Sequence, residues 1–364
     1  MENNTKVQEQ SIAKIWEQRP LIISGPCSAE TEEQVIRGAQ DLAATGKVNI
    51  FRAGIWKPRT KPGMFEGVGA VGLPWLQKAR AQTGLPIAIE VATSSQVALA
   101  LAHEVDILWI GARTTVNPFS VQEIADALRG VNIPVMIKNP INADIELWSG
   151  AMERISRANV SKIGLIHRGF SSYGNTQYRN APMWHLAIDM KLRYPDALMI
   201  NDPSHICGRR DTLQAVMQKA ADLDYDGLMI ESHIDPDHAW SDATQQITAD
   251  RLQEILEDIQ WRKEDANSAS YHTALEAIRQ KINQLDDEML QLLSQRMQLA
   301  EEIAQYKKEN NITILQAGRW SKVLDNAIKT GAKKGLSKDF ITRYYDAIHL
   351  ESINHQKKIM DTRD

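Results

Sequence analysis

The sequence is short of cysteine, of long apolar runs and of any strong charge excess, and each shortage excludes a class of protein. Two cysteines, Cys27 and Cys207, are too few for a disulfide framework. The polar N-terminus lacks the apolar core of a secretory signal, so a cytoplasmic location is expected. No run approaches the roughly 18 apolar residues of a membrane span. A net charge of −4 provides no basic field for nucleic acid.

Glycine and proline, 20 and 13 of 364 residues, are too sparse for a collagen-like or low-complexity chain. The length indicates two or three domains, or one large barrel with an appended domain. We therefore expect a globular protein in which any anion site is built locally from lysine and arginine.

The segment between residues 20 and 232 alternates short apolar stretches with longer stretches of helical period. A continuous apolar stretch is typical of a buried parallel strand that helices cover. The pattern predicts a (β/α)8 barrel, with a doubly wound open sheet as the alternative. The last barrel helix is predicted from about Ala243 to Trp261. The strands are predicted at LIISG (21–25), VNIFRA (48–53), PIAIEV (86–91), DILWIG (106–111), IPVMIK (133–138), SKIGLI (161–166), ALMIND (197–202) and DGLMIE (226–231).

A different pattern follows the polar residues 262–270. Apolar residues from Leu275 to Tyr306 recur at spacings of three and four, which predicts an amphipathic helix of about 39 residues. Such a helix cannot bury its apolar stripe alone. Partner helices are predicted over 318–330 and 337–360, separated by Gly331, Gly335 and an N-cap at Ser337. These patterns predict a barrel over 1–262, a linker over 263–270 and an all-α domain over 271–364 that forms a homodimer or a higher homo-oligomer.

Polar side chains follow nearly every predicted strand, at the edge where barrel enzymes build active sites. One set offers sulfur, nitrogen and carboxylate ligands, which suit Mn²⁺, Fe²⁺, Co²⁺ or Zn²⁺ better than Mg²⁺. A second set is cationic, which indicates a substrate with several phosphate or carboxylate groups. Cys207 is expected to be a small buried apolar residue. The ligand set is Cys27, His205, Glu231 and Asp242, and the cationic set is Arg52, Lys57, Arg59, Arg113, Lys138 and Arg168.

The motifs that contain these residues resemble 3-deoxy-D-arabino-heptulosonate 7-phosphate (DAHP) synthase, in the subfamily close to 3-deoxy-D-manno-octulosonate 8-phosphate synthase. The resemblance covers residues 20–262 and implies that the ligand set binds a divalent metal, with Mn²⁺ the first expectation. It also implies that Arg59 and Thr60 bind the phosphate of erythrose 4-phosphate, that the other cations bind phosphoenolpyruvate, and that Lys57 and Asp202 are catalytic. The motifs are GPCS (25–28), RAGIWKPRT (52–60), GAR (111–113), IKNP (137–140), HRG (167–169), DPSH (202–205), IESH (230–233) and SDATQQ (241–246).

The implied reaction joins C3 of phosphoenolpyruvate to the aldehyde of erythrose 4-phosphate, after which water attacks C2 and phosphate leaves. A metal would polarise the aldehyde, and the cations would hold both substrates together. Lys61 stands where serine is usual and His167 where glutamate is usual, and both are expected to alter phosphate contacts. Two alternatives are a Schiff-base aldolase that uses Lys138 and an octulosonate-phosphate synthase, against which the KPRT motif argues.

A cation interrupts the apolar stripe of the long helix. Arg296 occupies a position where the spacing requires an apolar residue, and a cation is costly there unless an anion meets it. Lys307 lies about 20° around the helix and roughly 16 Å along it, so both share one face, whereas Arg279 is about 100° away. The pattern indicates either an anion pocket, completed by a partner subunit, or a dimerisation bundle with snorkelling cations.

Residues 277–307, Arg319 and residues 341–356 resemble an all-helical chorismate mutase. The resemblance implies that Arg296, Arg319 and the partner subunit's Arg279 bind the substrate carboxylates. It implies that Lys307 and Gln356 contact the ether oxygen, with Ser352 nearby. The rearrangement of chorismate to prephenate needs only a compact conformer and stabilised charge on the breaking C–O bond. Gln316 and Trp320 stand where the family has acids that hold the substrate hydroxyl, so weaker turnover or a shifted ligand preference is expected.

Together the two resemblances imply a bifunctional enzyme of the shikimate pathway and aromatic amino acid biosynthesis, with no nucleic-acid or membrane partner. One hypothesis is allosteric: chorismate or prephenate bound by the helical domain inhibits the barrel, because the two reactions bracket the pathway. The alternative is that the helical domain is a noncatalytic dimerisation or ligand-sensing module.

Overall fold

The computed structural model of the protein describes residues 12–58, 63–173, 177–263, 266 and 268–362. The chain divides into two compact units, Met1–Glu264 and Asp265–Asp364. Among the described residues, none of the helices combines the length and the apolar character that crossing a bilayer requires.

The first unit is a closed parallel barrel whose strands, eight in the described part of the chain, follow one another in sequence order. Pairing of Leu21 with Gly227 joins the last strand to the first. Gly227 permits this contact because a Cβ there would lie 2.0 Å from the Leu21 carbonyl oxygen. The predicted barrel is confirmed and the open sheet is excluded. The strands are β1 (Leu21–Gly25), β2 (Ile50–Arg52), β3 (Ile87–Val91), β4 (Ile107–Ile110), β5 (Val135–Lys138), β6 (Ile163–His167), β7 (Leu198–Asn201) and β8 (Gly227–Glu231).

Helices connect the strands and cover the outside of the barrel. They are α1 (Glu32–Ala44), α2 (Gly72–Thr83), α3 (Ser94–Ala102), α4 (Ala112–Thr115), α5 (Pro118–Ala127), α6 (Ile145–Arg157), α7 (Trp184–Arg193), α8 (Pro203–Cys207), α9 (Leu213–Asp222) and α10 (Ala249–Asp258). Short 3₁₀ turns lie at Gly69–Val71, Pro236–His238 and Ala243–Gln245. The apolar core has a layer between strands and helices and a second layer inside the barrel.

The prediction of one last barrel helix from Ala243 to Trp261 is wrong. A 3₁₀ turn begins after Asp242, whose backbone is left-handed at φ 51°, and it ends at the extended Gln246. A separate helix α10 then begins under an N-cap at Thr248, whose side chain accepts from the Arg251 N–H. Asp242 therefore lies at the rim of the barrel, in the loop between β8 and α10.

The second unit contains α11 (Ala269–Glu309), α12 (Ala317–Lys333) and α13 (Lys338–Asp361). The long helix has 41 residues and begins at an N-cap on Ser268, inside the predicted linker. The predicted cap at Ser337 is confirmed, since its side chain accepts from the Phe340 N–H. Gly331 does not end a helix, contrary to the prediction. It lies within α12, where a Cβ would come 2.7 Å from Cγ1 of Ile341, so glycine permits close packing on α13.

Candidate active sites

Three potential metal ligands converge at the rim of the barrel. Cys27 follows β1, Glu231 ends β8, and Asp242 follows β8 by one loop; their ligand atoms all lie within 4.8 Å of one another. The Cys27 thiol donates to Oδ2 of Asp242 at 3.2 Å. Glu231 is 0% exposed, and its Oε1 has no hydrogen-bond partner among the described residues. A buried carboxylate oxygen without a partner beside a thiol and a second carboxylate fits a divalent cation.

The fourth predicted ligand, His205, lies next to this cluster without being one of its members. Its Nε2 is 3.7 Å from Oε1 of Glu231, and its Nδ1 is 2.8 Å from Oδ2 of Asp202. A histidine that binds a metal through one nitrogen usually donates from the other to a carboxylate. His205 therefore has the hydrogen bonding expected of a ligand, and Asp202 orients it.

Electrostatics favour ionised carboxylates and a protonated thiol in this site. Burial raises the pKa of the Cys27 thiol to about 12, and the charge of Glu231 acts in the same direction. Burial opposes the charge of Asp202 as well, but His205 and Lys138 outweigh it and hold the pKa of that carboxyl well below its usual range. Glu231 also has a lowered pKa, because His205 and Arg52 outweigh its burial. Metal binding by the thiolate would therefore release a proton.

Sequence reasoning missed two polar neighbours of the cluster, Arg179 and Gln245. Arg179 donates to Oδ1 of Asp242 at 2.8 Å and to Oε1 of Gln245 at 2.8 Å. Gln245 in turn donates to Oε2 of Glu231 at 2.7 Å. Gln245 belongs to the SDATQQ motif, which offered a signal for it, whereas Arg179 lies in the long loop after β6 with no strand end next to it.

Buried cations lie against an aromatic ring beside the cluster. The guanidinium carbon of Arg52 is 4.8 Å from the centre of the Trp109 ring, and the Lys138 Nζ is 5.9 Å from it. The Trp109 N–H donates to Oε2 of Glu90 at 3.1 Å, which fixes the indole. Gly111 makes room for this carboxylate, because a Cβ there would lie 2.0 Å from Oε1 of Glu90.

Arg52 and Lys138 differ in how far their donors are used. Arg52 is 1% exposed, donates from Nη2 to the Cys27 carbonyl at 3.3 Å and lies 3.4 Å from Glu231. Its Nε and Nη1 have no partner among the described residues. Lys138 donates from Nζ to Oδ2 of Asp202 at 2.8 Å. Two unpaired buried donors on a cation are suited to an anionic ligand.

Three further predicted cations, Lys57, Arg113 and Arg168, follow strands at the same rim. Lys57 donates from Nζ to the Cys27 sulfur at 2.7 Å, and Arg168 donates from Nη1 to Oδ1 of Asn180 at 2.9 Å. Burial lowers the pKa of Arg168 to about 10, which leaves it cationic at neutral pH. Arg113 is exposed on α4. Arg59, Thr60 and Lys61 lie outside the described residues.

His167 does not lie in the site, contrary to the expectation that it alters phosphate contacts. It points away from the barrel interior, against the rings of Phe170, Trp184 and Tyr225. The Tyr225 hydroxyl is 2.9 Å from its Nδ1, and the Pro182 carbonyl is 2.5 Å from its Nε2. Burial lowers the pKa of His167 to about 4, so a neutral ring fills this layer. The periodicity of β6 explains the direction, because successive strand residues point to opposite faces.

The helical unit encloses a separate cavity of about 430 Å³. Its charged lining residues in the described chain are Arg296, Lys307 and Arg319, all cationic. Arg296 donates from Nη1 to Oγ of Ser352 at 2.5 Å, and Lys307 donates from Nζ to Oε1 of Gln356 at 3.0 Å and to the Ile314 carbonyl at 2.5 Å. Burial lowers the pKa of Lys307. The pocket therefore suits a dianion better than a neutral ligand, and Arg296 uses one of its donors on Ser352.

Two observations on this cavity go beyond the predicted residues. Arg279 is exposed and is not among the described residues that line it. His349 does line it, and its ring stacks on Trp320 with centres 3.9 Å apart and planes 10° apart. The spacing offered a signal that sequence reasoning missed, because His349 lies three residues before Ser352 and seven before Gln356, on one face of α13.

The fold and the first site define a class: a parallel (β/α)8 enzyme whose rim brings potential metal ligands next to buried cations. Residues 4–268 match the model of the DAHP synthetase I family, and the chain belongs to that family. Residues 278–357 match the model of chorismate mutase type II, so a domain of that kind follows the barrel.

Two curated proteins are similar in sequence to the barrel. Phospho-2-dehydro-3-deoxyheptonate aldolase of Thermotoga maritima is 30% identical over 238 residues, which are 65% of this chain and 68% of the relative. The 2-dehydro-3-deoxyphosphooctonate aldolase of Syntrophotalea carbinolica is 29% identical over 257 residues, 65% of this chain and 88% of the relative.

A crystal structure of the Thermotoga maritima DAHP synthase superposes with a TM-score of 0.58 at 28% identity. The superposition covers 66% of this chain and 67% of that one.

Proposed function

We propose that the barrel condenses phosphoenolpyruvate with erythrose 4-phosphate to give DAHP and phosphate, and that the helical domain rearranges chorismate to prephenate. The observation that carries the first proposal is the convergence of Cys27, Glu231 and Asp242 beside the unpaired donors of Arg52. Membership of the DAHP synthetase I family supports it.

A divalent metal fits the barrel site. Cys27, His205, Glu231 and Asp242 would hold it, and the thiolate favours Mn²⁺, Fe²⁺, Co²⁺ or Zn²⁺ over Mg²⁺. When bound, such an ion supplies Lewis-acid polarisation of an aldehyde oxygen. Oε1 of Glu231, which accepts no hydrogen bond from the described residues, and the histidine held by Asp202 support this assignment.

The cations of the rim would bind and orient the substrates. Arg52 offers Nε and Nη1 to the carboxylate or phosphate of phosphoenolpyruvate, and Lys138 is held beside it by Asp202. Arg113 and Arg168 would complete the anion site. Arg59 and Thr60, which follow Lys57 in the KPRT motif, are assigned to the erythrose phosphate on the motif alone.

The proposed reaction forms one carbon–carbon bond and replaces the C2–O bond to phosphate with a carbonyl oxygen taken from water. C3 of phosphoenolpyruvate donates its electron pair to the aldehyde carbon, and the Lys57 ammonium donates a proton to the aldehyde oxygen. Water adds to the cationic C2 and loses one proton. The C2–O bond to phosphate then breaks, its electron pair leaves with inorganic phosphate, and the new C2 hydroxyl loses its proton to give the ketone. One of the two protons from water restores the Lys57 ammonium, and the other leaves with phosphate. Asp202 is assigned a positioning role, because its two oxygens contact Lys138 and His205.

The helical cavity supports the mutase proposal through its cationic lining. Arg296 and Arg319 would bind the substrate carboxylates, with the partner subunit's Arg279 closing the site, and Lys307 and Gln356 would meet the ether oxygen. A homodimer through this domain would also cover the apolar side chains that α11 exposes, among them Ile278 at 55% and Leu285 at 58%. The same cavity, filled by prephenate or chorismate, is proposed to inhibit the barrel.

The barrel proposal is tested by supplying phosphoenolpyruvate with either erythrose 4-phosphate or arabinose 5-phosphate and following phosphate release. Release with the four-carbon sugar alone supports DAHP synthesis. A preference for arabinose 5-phosphate would favour the octulosonate reaction, after which several relatives are named.

Borohydride trapping with substrate tests the Schiff-base alternative. The Lys138 Nζ donates to Asp202 at 2.8 Å, a contact that would have to break before Nζ attacked a carbonyl, so no covalent adduct is expected.

The mutase proposal is tested by chorismate turnover in wild-type protein and in Arg296→Ala. Loss of turnover in the variant, with barrel activity retained, supports it. No turnover by the wild type would favour the noncatalytic module. Prephenate inhibition of the barrel in the wild type, but not in Arg296→Ala, supports the allosteric proposal, whereas equal responses reject it.

A further inference from the structure

The cavity of the helical unit has one polar side chain that neither the family match nor the predicted set explains. His349 lies on its wall, sandwiched against Trp320 by a parallel stack of 3.9 Å. Neither of its ring nitrogens makes a hydrogen bond to another described residue. The stack fixes the plane of the imidazole, so its nitrogens point in a defined direction while remaining available to hydrogen-bond a ligand.

The other polar groups of the cavity are largely committed. Ser352 accepts from Arg296, and the amide oxygen of Gln356 accepts from Lys307. Arg296, Lys307 and Arg319 match anionic and ether oxygens, because all three are donors only. A substrate hydroxyl needs a partner that can accept its proton, and no described lining residue is a carboxylate. Ser352 and Gln356 each already accept a hydrogen bond from a cation, whereas the side chains of His349 and Gln316 line the cavity with accepting atoms that make no hydrogen bond to another described residue.

Of these two side chains, His349 is the one held in a fixed geometry, by its stack on Trp320. Burial lowers its pKa, and the nearby charge of Arg296 lowers it further, against the weaker effect of Asp346. Lys307 and Arg319 line the same cavity from the facing helices and are also cationic. A neutral ring has one accepting nitrogen and one N–H, so it can accept from a hydroxyl or donate to it.

We propose that His349, aligned by its stack on Trp320, binds the ring hydroxyl of the dicarboxylate substrate and so helps to determine which cyclic dicarboxylate the cavity accepts. This inference rests on the proposed mutase function and assigns a substrate contact beyond it. Trp320 is a positioning residue, since it acts through the imidazole. The hydroxyl contact replaces a carboxylate partner with a neutral one, in a cavity whose charge is all positive.

The test measures binding of two bicyclic dicarboxylates that mimic the compact transition state, one with the ring hydroxyl and one without it. Calorimetric Kd values are compared for wild-type protein and for His349→Phe, His349→Gln and Gln316→Leu. His349→Phe keeps a flat ring for the stack and removes the nitrogens. It is expected to weaken binding of the hydroxylated ligand about five- to tenfold, the size of one neutral hydrogen bond, and to leave the deoxy ligand within about twofold. His349→Gln is expected to recover part of the loss.

Different failures have different meanings. Equal weakening of both ligands by His349→Phe would overturn the hydroxyl contact, and so would selective weakening by Gln316→Leu alone. If the wild type turns over chorismate normally but His349→Phe changes nothing, the inference fails while the mutase proposal stands. If the wild type binds neither dicarboxylate, the mutase proposal itself fails. Melting of each variant by circular dichroism checks that the helical unit is folded.

Discussion

The Lys57 ammonium nitrogen lies 2.7 Å from the Cys27 sulfur, so the thiol at the centre of the barrel site already has a cationic donor on it. Burial holds this thiol protonated, with a pKa raised to about 12. A metal that binds there competes with Lys57 and with the thiol proton. Removal of Cys27 is therefore expected to remove the soft ligand and to leave the surrounding carboxylates in place.

Substitution of Cys27→Ser is expected to abolish the sulfur-to-cobalt charge-transfer band of the Co²⁺-loaded protein and to reduce phosphoenolpyruvate consumption at least about tenfold. Cys207→Ser is the matched control, because Cys207 is also buried but is not part of the cluster. Absorption spectra of both variants at equal Co²⁺ decide the matter. Retention of the band in Cys27→Ser would remove Cys27 from the ligand set.

Chelation separates the two proposed activities of one chain. EDTA is expected to stop phosphate release by the barrel and to leave chorismate turnover unchanged, because the described lining of the helical cavity has no carboxylate, thiol or metal cluster. Added Mn²⁺ should restore the barrel reaction. Both rates are measured on the same sample, so the mutase rate also reports that the protein has not been lost. Barrel activity that is indifferent to EDTA would contradict the metal assignment.

Trp109 is expected to set the affinity for phosphoenolpyruvate through the cations above it. Trp109→Leu removes the aromatic face under Arg52 and Lys138 and should raise the KM for phosphoenolpyruvate about tenfold, since a desolvated cation–π contact contributes about 1–2 kcal/mol. Trp109→Phe should lose less. Trp148→Phe is the control, because Trp148 is equally buried but packs in the layer between strands and helices, where its N–H donates to the Ile137 carbonyl. An unchanged KM in Trp109→Leu would refute the positioning role.

The barrel could be predicted from the sequence because its buried strands are continuous apolar stretches. β1, for example, has the predicted bounds at Leu21–Gly25. The position of most rim residues was predicted as well, because residues that follow parallel barrel strands lie at the same end of the barrel. Three features could not be predicted from the local sequence pattern. Asp242 adopts a left-handed backbone conformation, which its residue type does not predict. Gly331 allows a close contact with Ile341 that exists only once the two helices pack together. Arg179 reaches Asp242 from a loop, a contact that depends on tertiary structure.

Because of Lys307, kcat/KM of the mutase is expected to fall at a lower alkaline pH than an ordinary lysine would cause. Burial lowers its pKa below that of an ordinary lysine, so the ammonium loses its proton at a lower pH and the cation needed at the ether oxygen disappears. A plot of kcat/KM for chorismate should therefore begin to fall at a lower pH than the titration of an ordinary lysine would give. Lys307→Arg should move the fall to higher pH, because a guanidinium stays charged. The neighbouring Lys308→Gln variant should keep the wild-type pH profile. A shift of the alkaline fall in that variant would contradict its assignment to Lys307.

Two glycines of α12 are expected to respond in opposite ways to alanine. Gly331→Ala places a Cβ 2.7 Å from Cγ1 of Ile341 and should lower the free energy of unfolding by about 1–3 kcal/mol. Gly318→Ala meets no atom within 4 Å and should stabilise the helix by up to about 1 kcal/mol. Urea unfolding followed by circular dichroism measures both. Equal effects of the two substitutions would contradict the proposed packing of Gly331 on α13.

In the described part of the chain, Oε1 of Glu231 and Nε and Nη1 of Arg52 are buried without a hydrogen-bond partner, so the free barrel leaves these polar atoms unsatisfied. Ligands that satisfy these atoms bind the folded chain and not the unfolded one, so occupancy is coupled to thermal resistance. A ligand at about 100 times its Kd would add about 2.7 kcal/mol to the free energy of unfolding. The melting temperature of the protein can therefore be used to rank the affinities of metals, sugar phosphates and inhibitors without measuring turnover.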